Sequence, residues 1–197
     1  MTLNTQPLAA ARVIEQRGLY FDELEEDVVY AHRPGRTVTE ADNVLFTTMT
    51  MNTQALHLDA AWSAEQPFGQ RLVNSMFTLA TVVGQSVPQL TQGTIIAQLG
   101  LTDVSFPHPM YHGDTLYTET VVTGKRLSSS RPGQGIVTMK HTGRNQDGDI
   151  VALATRSCLM WTREAHTAAQ PGRPPGKNQQ QAKTGQKEPA AKGRIDT

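Results

Sequence analysis

Residues 71–88 read RLVNSMFTLATVVGQSVP. Leu72, Val73, Met76, Phe77, Leu79, Ala80, Val82, Val83 and Val87 are apolar, and the polar positions Asn74, Ser75, Thr78 and Thr81 are small. A helix apolar on all sides is a buried helix. The length of the run and the proline that follows it predict helix over strand, against the propensity cost of its β-branched residues. A lone buried helix must be wrapped, and the pattern after Pro88 supplies the wrapping. Period-two alternation predicts strands over 93–106, with a bend at Gly100, and over 114–127, 135–145 and 150–162. Pro107 and Pro109 interrupt the first connection, Arg131-Pro132-Gly133 makes a loop, and Asp147-Gly148 is a hairpin turn. A buried helix followed by antiparallel strands is an α+β pattern, read here as a sheet folded around one central helix.

The chain before residue 71 is less regular. Residues 1–17 form an extension with a short helical pattern at Leu8, Ala11, Val13 and Ile14. Tyr20-Phe21 and Val28-Val29-Tyr30 resemble short strands, and Pro34-Gly35 is expected to turn the chain. Thr39 is an N-cap with Asp42 at the capping-box position, and Val44, Leu45, Phe46 and Met49 give that helix its apolar face. Asp59 caps a second short helix over 60–65, and Pro67-Phe68-Gly69 breaks the chain before the central helix. From residue 164 the composition turns to Gln, Lys, Pro, Gly and Ala. Such a segment buries too little apolar area to offset its ordering entropy. The expected organisation is an extension over 1–17, one domain over 18–163 and a disordered basic tail over 164–197.

Charge refines this picture. The 197 residues carry no net charge, but six basic and two acidic residues lie from His166 onward, leaving twelve basic and sixteen acidic before it. A mildly acidic domain without a basic stripe argues against nucleic acid as a partner. No apolar run reaches the roughly 18 residues of a membrane span. The N-terminal stretch lacks the charged start and apolar core of a signal peptide. The single cysteine, Cys158, excludes an internal disulfide and fits a reducing cytoplasm. Its apolar surroundings mark it as a small buried hydrophobe rather than a nucleophile.

Several stretches resemble the MaoC-like dehydratases, hot-dog-fold enzymes of acyl-CoA thioesters. TVTEADNVLF followed by MNTQALHLD is similar to that family's hydratase motif, FGQRLVNSMFTLATVVGQSV to its central helix, and FPHPMYHGDTL to its strand entry. SSSRPGQGIV and RNQDGDIVAL fall where its later strands would lie. The wording VNS, SRP-x-x-GIV and NQ-x-G looks most like the branch of mesaconyl-CoA hydratases and β-methylmalyl-CoA dehydratases. The resemblance covers residues 18–163. It implies a hot-dog fold that pairs as a homodimer or higher homo-oligomer. The implied reaction is reversible addition of water across the double bond of a short 2-enoyl-CoA, branched or dicarboxylic, such as mesaconyl-CoA. The CoA thioester is the substrate, and no cofactor is implied. His57 matches the histidine of the family's Asp-x-Asn-Pro-x-His motif. Asn52 stands at its acid, Gln54 at its Asn and Ala55 at its Pro.

Hydration of an enoyl thioester needs a base for water, an acid for the α-carbon and donors for the thioester oxygen. The start of a buried helix offers backbone donors and a favourable dipole, which assigns that part to Val73, Asn74 and Ser75. Asn74 or Ser75 equally suits a helix cap. His57 exchanges protons near neutral pH. Asn52 cannot act as a base and can only orient water. Asp59 lies near in sequence but reads as a cap, and Glu40 and Asp42 read as first-turn residues. Arg126 and Arg131, with Lys125, are candidates for the CoA phosphates, and Arg71 for the free carboxylate of a dicarboxylic substrate. His108 and His112 lack the companions of a zinc site, no glycine-rich phosphate loop appears, and Asp114 is expected to shape a turn. Two other functions fit the same residues: an acyl-CoA thioesterase, or a non-catalytic CoA-binding subunit that has lost the family's acid.

Overall fold

The computed structural model describes residues 15–169. Strands β1 (Val29–Thr37), β2 (Ile95–Ser105), β3 (Thr115–Leu127), β4 (Gln134–Arg144) and β5 (Ile150–Trp161) form one antiparallel sheet in the order β1-β3-β4-β5-β2. Helices α1 (Glu40–Met49), α2 (Ala55–Leu58), α3 (Ala60–Ala64) and α4 (Ser75–Leu90) connect β1 to β2, and α5 (Arg163–Ala169) follows β5. The central helix, α4, packs against β1, β3, β4 and β5. This is the expected α+β arrangement. The α4 backbone comes close to the sheet at Gly143 of β4, where an added Cβ would lie 2.5 Å from the Val82 side chain.

On the inner face, polar residues lie between two apolar clusters. One cluster holds Val82, Leu116 and Ala152, the other Leu90, Val122, Met139 and Cys158. Between them on their own elements sit Gln85 and Gln89 of α4, Thr118 and Thr120 of β3 and Arg156 of β5, and His141 follows Met139 on β4. The His32 ring of β1 bonds Gln89 Oε1 at 2.7 Å and Thr120 Oγ1 at 2.8 Å, and Thr120 Oγ1 bonds His141 Nδ1 at 2.7 Å. Gln89 Oε1 only accepts, so the chain of bonds runs from His141 through Thr120 and His32 to Gln89. Burial, then the charges of Arg156 and His32, push His141 down to about 3. Cys158 is buried as expected, and burial raises its thiol.

Four local expectations are corrected. Helix α4 begins at Ser75, because residues 71–74 run extended with Leu72 bridged to Tyr111, and it carries Pro88 within its last turn. It is not buried all round: Thr78, Val82, Ser86 and Leu90 are buried, whereas Met76, Ala80, Gly84 and Pro88 form an exposed stripe one helical repeat apart. Residues 21–23 form a 3-10 turn rather than a strand, and Glu23 at its end accepts the Tyr20 N–H. Pro34-Gly35 does not turn the chain but forms an irregularity within β1, where Gly35 lets the Tyr117 ring pack on the backbone.

Residues 164–169, expected in the disordered tail, are helical in α5. His166 there stacks on Trp161 and bonds Tyr20 Oη, and Arg163 pairs with Glu23. The rest of the tail and residues 1–14 lie outside the described residues. No helix among the described residues is long and apolar enough to cross a membrane.

Candidate active site

Thr39 accepts the Asp42 N–H, and the Asp42 carboxylate returns a bond to the Thr39 N–H, so the capping box starts α1 as its sequence indicates. These bonds hold the Asp42 carboxyl below its ordinary value. The buried face of α1 is nevertheless rotated from the expected one: Val44 and Phe46 are half-buried, with the Phe46 ring packed on Phe77. Asn43 and Thr47 are buried, while Leu45 is 61% and Met49 74% exposed.

The bonds of Asn43 explain this rotation. Its Nδ2 lies within bonding distance of the His57 carbonyl at 3.3 Å, the Leu72 carbonyl at 3.2 Å and His112 Nε2 at 3.0 Å. Its Oδ1 accepts the Asn74 N–H at 2.8 Å. One amide therefore ties α1 to α2, to the strand before α4 and to the tip of α4. Because Asn43 Nδ2 donates, His112 Nε2 must accept. Burial and then the Arg71 charge hold His112 below the usual imidazole value, with Glu40 opposing.

His57 sits on α2, a single turn set by its neighbours. Asn52 Oδ1 accepts the Gln54 N–H at 3.1 Å, and Asp59 both ends α2 and caps α3 through the Trp62 N–H. Asn52 thus shapes the turn that delivers His57. The imidazole is 91% buried, and its Nδ1 lies 2.9 Å from the Leu72 carbonyl. A carbonyl only accepts, so Nδ1 carries the proton and Nε2 presents a lone pair.

Leu72, Val73 and Ser75 also line a cavity of about 250 Å³ at the start of α4. Phe68, Phe106, Met110 and Val151 continue its apolar wall, and Ser75, Thr78 and His108 supply polar edges. The His57 ring is thus anchored to the carbonyl of a cavity-lining residue three positions before the helix begins. Of the backbone donors expected here, the Val73 N–H is bonded to the Met110 carbonyl and the Asn74 N–H to Asn43. The Asn74 side chain caps α4 by accepting the Met76 N–H. The Ser75 N–H, at the first helical position, has no acceptor among the described residues.

The cationic candidates disperse. Arg71 Nη2 lies 2.5 Å from Glu40 Oε1 and is not among the residues lining the cavity. That bond from Arg71 lowers the Glu40 carboxyl. Arg126 and Arg131 are exposed at the far end of β3 and in the loop after it. At about 3.3 Å per residue, Arg126 is about 35 Å along the strand from Thr115, the end nearest the cavity. Lys125 spends its ammonium on the Leu24 carbonyl. Asp114 shapes its turn by accepting the Tyr111 N–H. Among the described residues no group of three or more His, Cys, Asp or Glu is placed to hold a metal.

Sequence reasoning missed Asn43 altogether and weighed His108 only as a metal ligand. The available signal was a carboxamide next to the apolar run Val44-Leu45-Phe46 of a helix, a position that favours neither propensity nor burial unless its hydrogen bonds are met.

Comparison with known proteins adds the following. Residues 23–145 match the model of the MaoC like domain. Mesaconyl-CoA hydratase of Haloarcula marismortui is 30% identical over 151 residues, covering 76% of this chain and 42% of that protein. β-Methylmalyl-CoA dehydratase of Chloroflexus aurantiacus is 28% identical, covering 77% and 43%. A Mycobacterium tuberculosis structure described as a double hot-dog fold superposes with a TM-score of 0.67 at 27% identity, covering 83% of this chain and 48% of that one. The chain therefore spans less than half the length of the curated relatives it matches, and its sheet around a central helix is the hot-dog fold.

Proposed function

The chain belongs to the MaoC-like domain family, a family with named hydratases and dehydratases, and from that premise we propose that it adds water reversibly across the double bond of a short 2-enoyl-CoA such as mesaconyl-CoA. The observation that carries this is the fixed tautomer of His57. Its Nδ1–H is held by the carbonyl of Leu72, a cavity-lining residue, and Nε2 keeps its lone pair, although the His57 ring is not itself among the lining residues. In the hydration direction, Nε2 takes a proton from water as the oxygen attacks the β-carbon. The developing charge on the thioester oxygen is met by the Ser75 N–H at the positive end of α4. The α-carbon then receives a proton, and the imidazolium of His57 is the group able to return one. Asn52 orients the turn and needs no charge for that task. No cofactor is required by this chemistry.

The active form is a pair of chains. This chain covers 48% of a related structure described as a double hot-dog fold, which supports a second hot-dog unit packed beside this one. The exposed stripe of α4, with Met76 half exposed, and the edge strand β2, with Leu99 half exposed, are the apolar surfaces such a partner covers. Arg126 and Arg131 reach a CoA phosphate only if the second copy carries them to the cleft.

A panel of enoyl-CoA thioesters tests the function. Loss of enoyl absorbance with a product heavier by one water supports it. Release of free CoA thiol would instead indicate a thioesterase, and tight CoA binding without turnover a non-catalytic subunit.

A further inference from the structure

A free carboxylate entering the cavity at the start of α4 meets apolar side chains broken by the polar edges of Ser75, Thr78 and His108. Val73, Phe106, Met110 and Val151 cannot solvate a charge, and no lysine or arginine lines the cavity. An ion beside these apolar side chains is favoured only where a polar or charged group meets it. Arg71, the cation closest in sequence, is committed to Glu40 and lies outside the lining. Thr78 has its hydroxyl directed at the Asn74 carbonyl and the Met110 sulfur.

One lining side chain can bear a positive charge, His108. Its Nδ1 lies 3.2 Å from the Ile150 carbonyl, the residue before Val151, and must donate to it. That bond fixes the ring against β5 and leaves Nε2 without a partner among the described residues. An imidazole held in this way receives a carboxylate at Nε2–H as the imidazolium, with Nδ1–H still bonded to the backbone.

We propose, resting on the hydratase reading above, that His108 is the specificity-determining residue of the acyl cavity and that it takes the free carboxylate of a dicarboxylic enoyl group. The ring lies on the wall formed with Pro107, Pro109 and Val151, whereas the Ser75 N–H marks the thioester end. A dicarboxylic acyl group then spans from the helix tip to His108, with its double bond between them. An enoyl group ending in methyl makes no use of Nε2.

The test compares mesaconyl-CoA with 2-methylcrotonyl-CoA, which has methyl in place of the free carboxylate, for the wild type, His108→Leu and His108→Gln. His108 is exposed, so these substitutions spare the core. The ratio of kcat/KM for mesaconyl-CoA over 2-methylcrotonyl-CoA is expected to fall about 10- to 100-fold in His108→Leu, the range for a lost hydrogen bond to a charged group. The Gln variant, which keeps an N–H donor without the charge, should lie between. An unchanged ratio in His108→Leu, or a wild type that prefers 2-methylcrotonyl-CoA, overturns this assignment while leaving the hydratase function intact. A wild type that hydrates neither thioester removes the function itself and the assignment with it.

Discussion

Asn43 and His57 are joined through one acceptor: Asn43 Nδ2 and His57 Nδ1 both converge on the carbonyl of Leu72, at 3.2 and 2.9 Å. The same amide reaches the His57 carbonyl and takes the Asn74 N–H on its oxygen. The base and the helix tip are thereby held by a single buried side chain. Asn43→Ala leaves those backbone groups unmet and should cost about 3 kcal/mol of stability, measured by denaturant unfolding. In the fraction that folds, kcat should fall more than KM rises, because the imidazole keeps its bond to the Leu72 carbonyl but Asn43 no longer fixes the backbone of either His57 or Leu72. A loss of stability below about 1 kcal/mol would contradict the hub.

Acid stability follows from the buried histidines. His141 titrates near 6.5 when unfolded and at about 3 when folded, so the unfolded chain binds more protons between those values. The stabilisation associated with a neutral His141 is complete above about pH 6.5 and is lost as pH falls toward 3. At about 1.4 kcal/mol per unit, the full effect is on the order of 5 kcal/mol. His32, also lowered by burial, adds in the same direction. Unfolding midpoints at pH 7 and pH 4.5 should show a steep decline that His141→Gln flattens.

The close approach of α4 to the sheet makes Gly143 sensitive. A Cβ there lies 2.5 Å from Val82 and 3.3 Å from Leu116, both within the core. Gly143→Ala is expected to destabilise by about 1–3 kcal/mol through overpacking. Gly84→Ala, with open space around its Cβ in one chain, should be neutral or stabilising unless a second copy packs there.

That contrast bears on assembly. Met76 on the exposed stripe of α4 is expected to be covered by the second chain. Sedimentation of the wild type should give twice the chain mass, and Met76→Lys should shift it toward the single-chain mass at micromolar concentration. A wild type that sediments as one chain would rule out the paired form.

Much of this architecture was legible in the chain. Strands β3, β4 and β5 were found because they alternate with period two and end at Gly and Pro turns, a code read locally. The caps at Thr39 and Asp59 were found because capping is decided within one helical turn. What failed, on α1 and on one stripe of α4, was the inference that equates apolar with buried, though it held for Cys158. Asn43 faces inward to backbone groups of α2 and of the extended segment before α4, and the Thr47 hydroxyl accepts from the Asn74 side chain, partners up to 31 residues away that no local pattern encodes. The turn expected at Pro34-Gly35 became an irregularity within β1 for a similar reason: pairing with β3 outweighed the local preference. His57 stood out through the resemblance of its motif. Arg126 and Arg131 lie at the far end of β3 and in the loop after it, and a local pattern does not say which cleft they border.

The most direct test of the account is the rate of water addition to mesaconyl-CoA by the wild type and by His57→Ala, with product identified by mass. The Leu72 carbonyl keeps its bond from Asn43 when the ring is removed, so the variant should still fold. Loss of a general base removes about 10²- to 10⁴-fold of the rate, and that loss, with thioester binding retained, is the expected result. A His57→Ala protein that hydrates mesaconyl-CoA as fast as the wild type would contradict it.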